Sequence, residues 1–253
     1  MNGPNARCSP DGEHSALRVA GRALIPVVSS QHAVIAARGA FAVTLLMALC
    51  ASPAHSVPLS VEELTKVCAE ADDASHCGRM VEGVQLPRLP NLAVREKADL
   101  KVSLYPSGSV TFTDIEAVNG SRSYSLWDFL SEINAVVLYV TDGDDTSFLL
   151  LQRTTGRKTD LPADPKLAPD RSRLVTADFC ERRCTNEVAL WRVTRDGVRK
   201  ELVLRPGAPW TDVVATWKDA DTVAIEYTMA GSATRSRLSR RVADAEWMRA
   251  PTP

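Results

Sequence analysis

Ala135-Val136-Val137-Leu138-Tyr139-Val140-Thr141 and Ser147-Phe148-Leu149-Leu150-Leu151-Gln152 flank the acidic tetrad Asp142-Gly143-Asp144-Asp145. Two short, almost wholly apolar runs joined by turn residues read as a pair of β-strands covered on both faces, because a half-exposed strand would alternate apolar with polar. Upstream, Leu100, Val102 and Leu104 alternate with Lys101, Ser103 and Tyr105. Pro106-Ser107-Gly108 then turns the chain, and Val110 and Phe112 continue the alternation on a return strand. Asn119-Gly120 marks another turn. Downstream, strands are expected at Arg173–Ala177, Glu187–Arg195, Lys200–Leu204, Asp212–Trp217, Thr222–Thr228 and Ser236–Ser239. Thr155-Gly156, Asp170-Arg171-Ser172, Asp196-Gly197, Pro206-Gly207 and Asp219-Ala220-Asp221 separate them. No long helical pattern intervenes, so residues 95–253 are expected to form an antiparallel β domain rather than a parallel α/β sheet.

Ahead of this region the period is 3.6. Ser60 is a natural helix N-cap, followed by Glu62 and Glu63 in the first turn, where the helix dipole favours acids. Leu64, Val67, Cys68 and Ala71 make an amphipathic stripe, and Asp72–Ser75 breaks it. A second short helix from His76 to Leu86 would carry Met80, Val81, Val84 and Leu86 as its apolar set, with a linker around Pro87 and Pro90. Residues 57–90 thus read as a helical hairpin containing a cysteine pair, Cys68 and Cys77.

The leader sets the compartment. No charged residue lies between Arg38 and Glu62, and that gap contains the apolar run Phe41–Ala51. Ala54-His55-Ser56 follows, with small residues at the positions read by a signal peptidase. Residues 34–56 are therefore expected to be a signal peptide cleaved after Ser56. The run is short against the roughly 20 residues needed to cross a bilayer, so no stable membrane span is expected after cleavage. Residues 1–33 are expected to be an extension foreign to the native protein, with translation starting near Val34. The expected location is periplasmic or secreted.

Cys68, Cys77, Cys180 and Cys184 follow the leader, and an even number of cysteines in an oxidising compartment reads as disulfides. Three pairings are open to four cysteines. The local pairs Cys68–Cys77 and Cys180–Cys184 are favoured because each lies in its own short segment, and each bridge would contribute about 2–3 kcal/mol. Cys180-Glu181-Arg182-Arg183-Cys184 has a longer spacer than a thioredoxin-type motif, and only His76, Cys68 and Cys77 could complete a zinc site with it.

The remaining composition excludes more than it assigns. Thirty basic and 31 acidic side chains leave a net charge of −1, without the footprint of a nucleic-acid binder. His76 is the one histidine beyond the leader, which disfavours most acid–base designs at neutral pH. Gly-x-Ser-x-Gly, Ser-x-x-Lys, His-Glu-x-x-His, Walker and Gly-x-Gly-x-x-Gly motifs are missing. No cofactor is expected. Asp142, Asp144 and Asp145 are weak candidates for a calcium site, against an acidic hairpin turn. Trp191 and Trp217 sit in strand patterns and read as core, whereas Trp210, after Pro209 in a loop, is the candidate ligand-binding residue. Arg182, Arg183, Arg195, Arg199, Arg235, Arg237, Arg240 and Arg241 suggest an anion-binding face or a solvated edge strand, the latter being preferred.

Leu167–Val175 and Val214–Ile225 are faintly self-similar, each with an apolar end, an Asp-containing turn and an apolar strand, about 45 residues apart. Ala168-Pro169-Asp170-Arg171 resembles the Ser-Pro-Asp-Gly turn of TolB-like (PD40) β-propeller repeats, with Arg171 in place of the glycine. Leu151–Thr159 and Val188–Val193 resemble the neighbouring strands of such repeats. The likeness spans about residues 147–228. It implies an incomplete, propeller-like β-meander and carries no catalytic residues with it. Together these readings describe an exported bacterial protein of mainly β structure, a helical hairpin followed by the meander. Its expected role is non-enzymatic binding of an envelope protein or glycan. The alternative is a histidine-independent, carboxylate-based glycan hydrolase, recognisable by two carboxylates about 5–9 Å apart in a concave pocket.

Overall fold

The computed structural model describes residues 58–117 and 120–250. The expected extension 1–33, the signal segment 34–56, Asn119 of the Asn119-Gly120 turn and the last three residues of the expected β domain lie outside the described residues. Helix α1 (Val61–Val67) begins where expected: Glu63 N–H donates to the Ser60 hydroxyl, and Ser60 N–H donates to the Glu63 carboxylate. A single turn of 3-10 helix (Cys68–Glu70) and a break lead to α2 (Ala74–Arg88), N-capped by Asp73. Cys68 and Cys77 stand at disulfide-bonding distance, with Cα atoms 4.8 Å apart, and tie the helices together.

Fifteen strands follow among the described residues, in four antiparallel sheets, none closed on itself. The first sheet is a meander of β1 (Ala93–Glu96), β2 (Asp99–Ser103) and β3 (Ser109–Thr113). The second runs β4 (Arg122–Leu130), β5 (Ala135–Asp142), β6 (Asp145–Gln152), β7 (Lys158–Leu161). The third runs β8 (Lys166–Leu167), β9 (Arg173–Asp178), β10 (Glu187–Thr194), β11 (Gly197–Leu204), with β15 (Met248–Arg249) added beside β11. The fourth is β12 (Trp210–Trp217), β13 (Thr222–Met229), β14 (Arg235–Arg241). The protein is mainly β, a propeller-like open meander behind a helical hairpin.

The apolar runs of β5 and β6 have the reason expected of them. Val136, Leu138, Leu149 and Leu151 point into one core with Leu100, Val102 and Phe112 of the first sheet. Val137, Ala135, Leu150 and Phe148 point the other way, into a second core with Leu174, Ala189, Trp191 and Val203 of the third sheet. The third sheet is used on both faces too: Val175, Val188 and Leu190 meet Ala215, Val223 and Ile225 of the fourth in a third core closed by Trp247. Successive sheets thus stack face to face, and each fully buried Leu contributes about 1.5–3 kcal/mol. Ala168-Pro169-Asp170-Arg171 is the tight turn between β8 and β9. Arg171 N–H donates to Ala168 O, Ser172 N–H donates to the Asp170 carboxylate, and Arg171 itself takes a left-handed backbone (φ 64°).

Three expectations need correction. The chain from Pro87 to Leu92 is no loose linker, since Pro87 sits inside the last turn of α2 and Leu89 and Leu92 are buried in the first core. The buried face of α2 mixes polar Glu82 and Gln85 with Gly78 and Val81, Leu86 packs against the first core, and Met80 and Val84 line a groove toward α1. The cause is that α2 docks on the open edge of β4, where backbone groups need partners. Arg79 donates to Tyr124 O (2.9 Å), Gln85 donates to Trp127 O (2.9 Å), and Leu126 N–H donates to the Glu82 carboxylate (2.9 Å). Lastly, Trp210 is not in a loop. It opens β12 opposite Met229, and a bulge between Thr211 and Val214 breaks the alternation that would have shown the strand's start.

Candidate functional site

The β9–β10 connection, residues 179–186, carries the second cysteine pair. Cys180 and Cys184 are at bonding distance with Cα atoms 5.3 Å apart. The loop is tied at its base by the buried Asp178, whose carboxylate accepts from Thr185 N–H (2.8 Å) and the Thr185 hydroxyl (2.7 Å). Cys180 N–H donates to the Asn186 side chain (3.2 Å). The loop's far side is held by an ion pair between Arg183 and Asp145 of the β5–β6 turn.

A cleft lies on each side of this disulfide loop, and Cys180 and Glu181 line both. One, of about 770 Å³, is walled by Phe179 and Asn186 from the loop and by Pro206, Pro209 and Trp210 from the β11–β12 connection and the start of β12. Asp212 and Thr211 close its rim. The other, of about 660 Å³, lies between the loop and Asp144, Asp145 and Ser147. Three residues chosen on separate grounds from the sequence, Trp210, Asp144 and Asp145, are therefore gathered around the Cys180–Cys184 loop.

Trp210 belongs to an aromatic stack. Its ring lies 4.1 Å from that of Tyr227 at 18°, and 6.1 Å from that of Phe179 at 27°. Asn186 (φ 52°) and Asp212 (φ 48°), on opposite walls of the larger cleft, both hold left-handed backbones. Such conformations cost about 1–3 kcal/mol and gather at binding surfaces. Trp191 and Trp217 pack as expected: Trp191 is buried with its indole N–H donating to Thr176, and Trp217 donates to Lys166 O.

Asp142-Gly143-Asp144-Asp145 forms the hairpin turn between β5 and β6, with glycine taking the required positive φ of 59°. Asp142 pairs with Arg122 and Asp145 with Arg183, and among the described residues no three His, Cys, Asp or Glu side chains gather as a metal would require. His76 sits exposed at the start of α2, accepting from Asp72 N–H (3.2 Å), and lines neither cleft. Asp128, whose carboxyl is pushed up by burial and further by Asp164, also lines neither cleft. The arginines do not form one face: Arg182 and Arg183 belong to the disulfide loop, Arg195 and Arg199 to the β10–β11 hairpin, and the other four to β14. Phe179, Tyr227, Asn186 and Asp212 escaped the sequence reading, because neither a stack of a loop ring on two neighbouring strands nor a left-handed backbone leaves a local pattern.

Comparison with family models, with curated proteins and with solved structures finds no match to this chain. Among the described residues no helix is long and apolar enough to cross a membrane.

Proposed function

We propose that the protein is an exported binding module of the cell envelope, periplasmic or secreted, that engages its partner at the larger cleft beside the Cys180–Cys184 loop. The observation that carries this reading is a cleft with Phe179 on one wall and Trp210 on the other, the Trp210 ring backed by Tyr227 and the Phe179 wall pinned by Asp178 and a cysteine bridge. Aromatic and proline surface offers apolar contact at little entropic cost, while Asn186, Thr211 and Asp212 supply hydrogen-bonding groups at the rim. That combination suits an envelope glycan or a segment of an envelope protein. Two local cysteine pairs and the apolar leader at Phe41–Ala51 support export, since disulfides persist in oxidising compartments.

Site-specific photo-crosslinking in the native envelope tests the reading. A crosslinker replacing the exposed Thr211 should give discrete adducts that disappear when Trp210→Ala is added, while a crosslinker at Val61, which is 72% exposed, gives none of them. Equal adducts from both positions, or adducts indifferent to Trp210, contradict it. Turnover of a glycan that is abolished by Glu181→Gln or Asp212→Asn would replace binding by the hydrolase reading, as both carboxylates line this cleft.

A further inference from the structure

The fourth sheet ends on β14, which pairs with β13 and, among the described residues, has no strand on its other side. Val242 N–H donates to Asp221 O, which makes Thr222 and Arg241 a non-hydrogen-bonded pair. Counting back along the register, Glu226–Arg237, Ala224–Ser239 and Thr228–Arg235 are of the same kind, so the backbone N–H and C=O groups of Arg235, Arg237 and Ser239 point out of the sheet. Arg241 in the same phase is already used: its N–H donates to Asp244, and its carbonyl accepts from Trp247. The Ser239 carbonyl accepts from the Arg240 guanidinium at 3.4 Å, so among the described residues the outward groups without a partner are the N–H and C=O of Arg235 and Arg237 and the N–H of Ser239.

The side chains beside these rungs have one sign. Arg235, Arg237 and Arg241 are exposed on the outer face of the sheet. Arg235 and Arg237 share a single carboxylate, Glu226, at 3.1 and 3.7 Å. A second copy of β14 would set arginine against arginine, and like charges across a strand pair are destabilising. An arriving strand with acids in alternate positions would meet the excess positive charge and fill the open rungs together.

We propose that the β14 edge is a second interaction site, taking an extended acidic segment of a partner protein by strand addition. The charged edge serves two ends: it repels further copies of this chain, and it selects a partner of opposite sign. This surface is separate from the cleft and does not depend on the cleft's role.

The test titrates the full-length chain into a fluorescent heptapeptide of alternating glutamate and threonine and follows anisotropy. Binding should weaken with salt, weaken by about tenfold in Arg235→Gln/Arg237→Gln/Arg241→Gln, and vanish when lysine replaces glutamate in the peptide. N-methylating the peptide amides in one alternate phase should abolish binding, and in the other phase leave it intact, because only one phase faces the sheet. This arm leaves the protein unaltered, so misfolding of a variant cannot imitate it. Equal affinity for both N-methylated phases, or equivalent capture of polyglutamate and anionic vesicles regardless of backbone chemistry, would show mere charge attraction and overturn the proposal. Absence of binding at low salt overturns it as well.

Discussion

At Gly78 the α2 backbone lies close against the second sheet. A Cβ built there would lie 2.8 Å from Tyr139 Cδ1 and 3.0 Å from Ser125 Oγ. Tyr139 cannot step aside easily, because its ring packs on Trp127 at 5.1 Å and on Phe148 at 5.3 Å. Gly78→Ala should therefore lower stability by about 1–3 kcal/mol through overpacking, although alanine favours an isolated helix by about 1 kcal/mol. Urea unfolding followed by circular dichroism would show it, and a stabilised variant would contradict the close approach. Arg171 is the opposite case. Its exposed side chain sits on a left-handed backbone that costs an L-residue about 1–2 kcal/mol, which glycine avoids while losing some unfolded-state advantage. Arg171→Gly should raise stability by about 0.5 kcal/mol, read as an increased urea midpoint with unchanged slope. Asp128 supplies a pH signature. Burial raises its folded-state pKa, and Asp164 adds to this, against opposing help from Phe129 N–H and Lys166. The folded chain then holds the proton more tightly than the unfolded one, so stability falls as pH rises from the ordinary aspartate range through the raised value. Asp128→Asn, which keeps an oxygen for Phe129 N–H, should be more stable than the parent at neutral pH, with the advantage shrinking as pH drops into that window. Thermal melts across pH would reveal the converging curves, and a pH-independent difference would contradict the assignment.

At the scale of elements, α2 substitutes for a neighbouring strand. Glu82 is buried and accepts from Arg95 Nε and Nη2 (both 2.8 Å) as well as from Leu126 N–H. Arg79 and Arg95 also engage Asp114 and Tyr124 O. Removing the carboxylate leaves the Leu126 amide without its acceptor and takes from Arg79 and Arg95 one of the two carboxylates that balance their charge, so Glu82→Ala should cost about 3–5 kcal/mol in chemical unfolding. A loss below 1 kcal/mol would mean the network does not hold the helix to the edge. This docking also explains what was legible. β5 and β6 declare themselves because both faces are buried and every position is apolar. α1 declares itself through its capping box. β4 does not, because a bulge between Leu126 and Asp128 shifts its alternation and Ser123, Ser125 and Asp128 interrupt it. Of the apolar stripe on α2, Val81 is buried and Leu86 packs on the first core, but Met80 and Val84 turn toward α1, since a strand edge is satisfied by hydrogen-bonding side chains and hydropathy is blind to that demand. Trp210 was legible as unusual from its setting after Pro209, but its stack joins it to Tyr227 on the neighbouring strand and to Phe179 in the β9–β10 loop, and such a stack has no sequence signature.

At the scale of the molecule, four meanders stacked through three cores leave the outer face of the last sheet polar, as an end without a further neighbour requires. The proposed binding site lies at a loop instead: the β9–β10 loop borders two clefts and carries the Cys180–Cys184 pair. The proposed cleft therefore requires passage out of the cytoplasm, into a compartment where the cysteine pair stays oxidised. The most direct measurement is intact-mass spectrometry, without reductant, of the protein recovered from its native envelope fraction. The expected mass is that of a chain beginning at Val57, lacking the hydrogens of two disulfides and refusing thiol alkylation. A chain retaining the Phe41–Ala51 segment, found in the cytoplasm with Cys68, Cys77, Cys180 and Cys184 all alkylated, would contradict export and the binding site built on it.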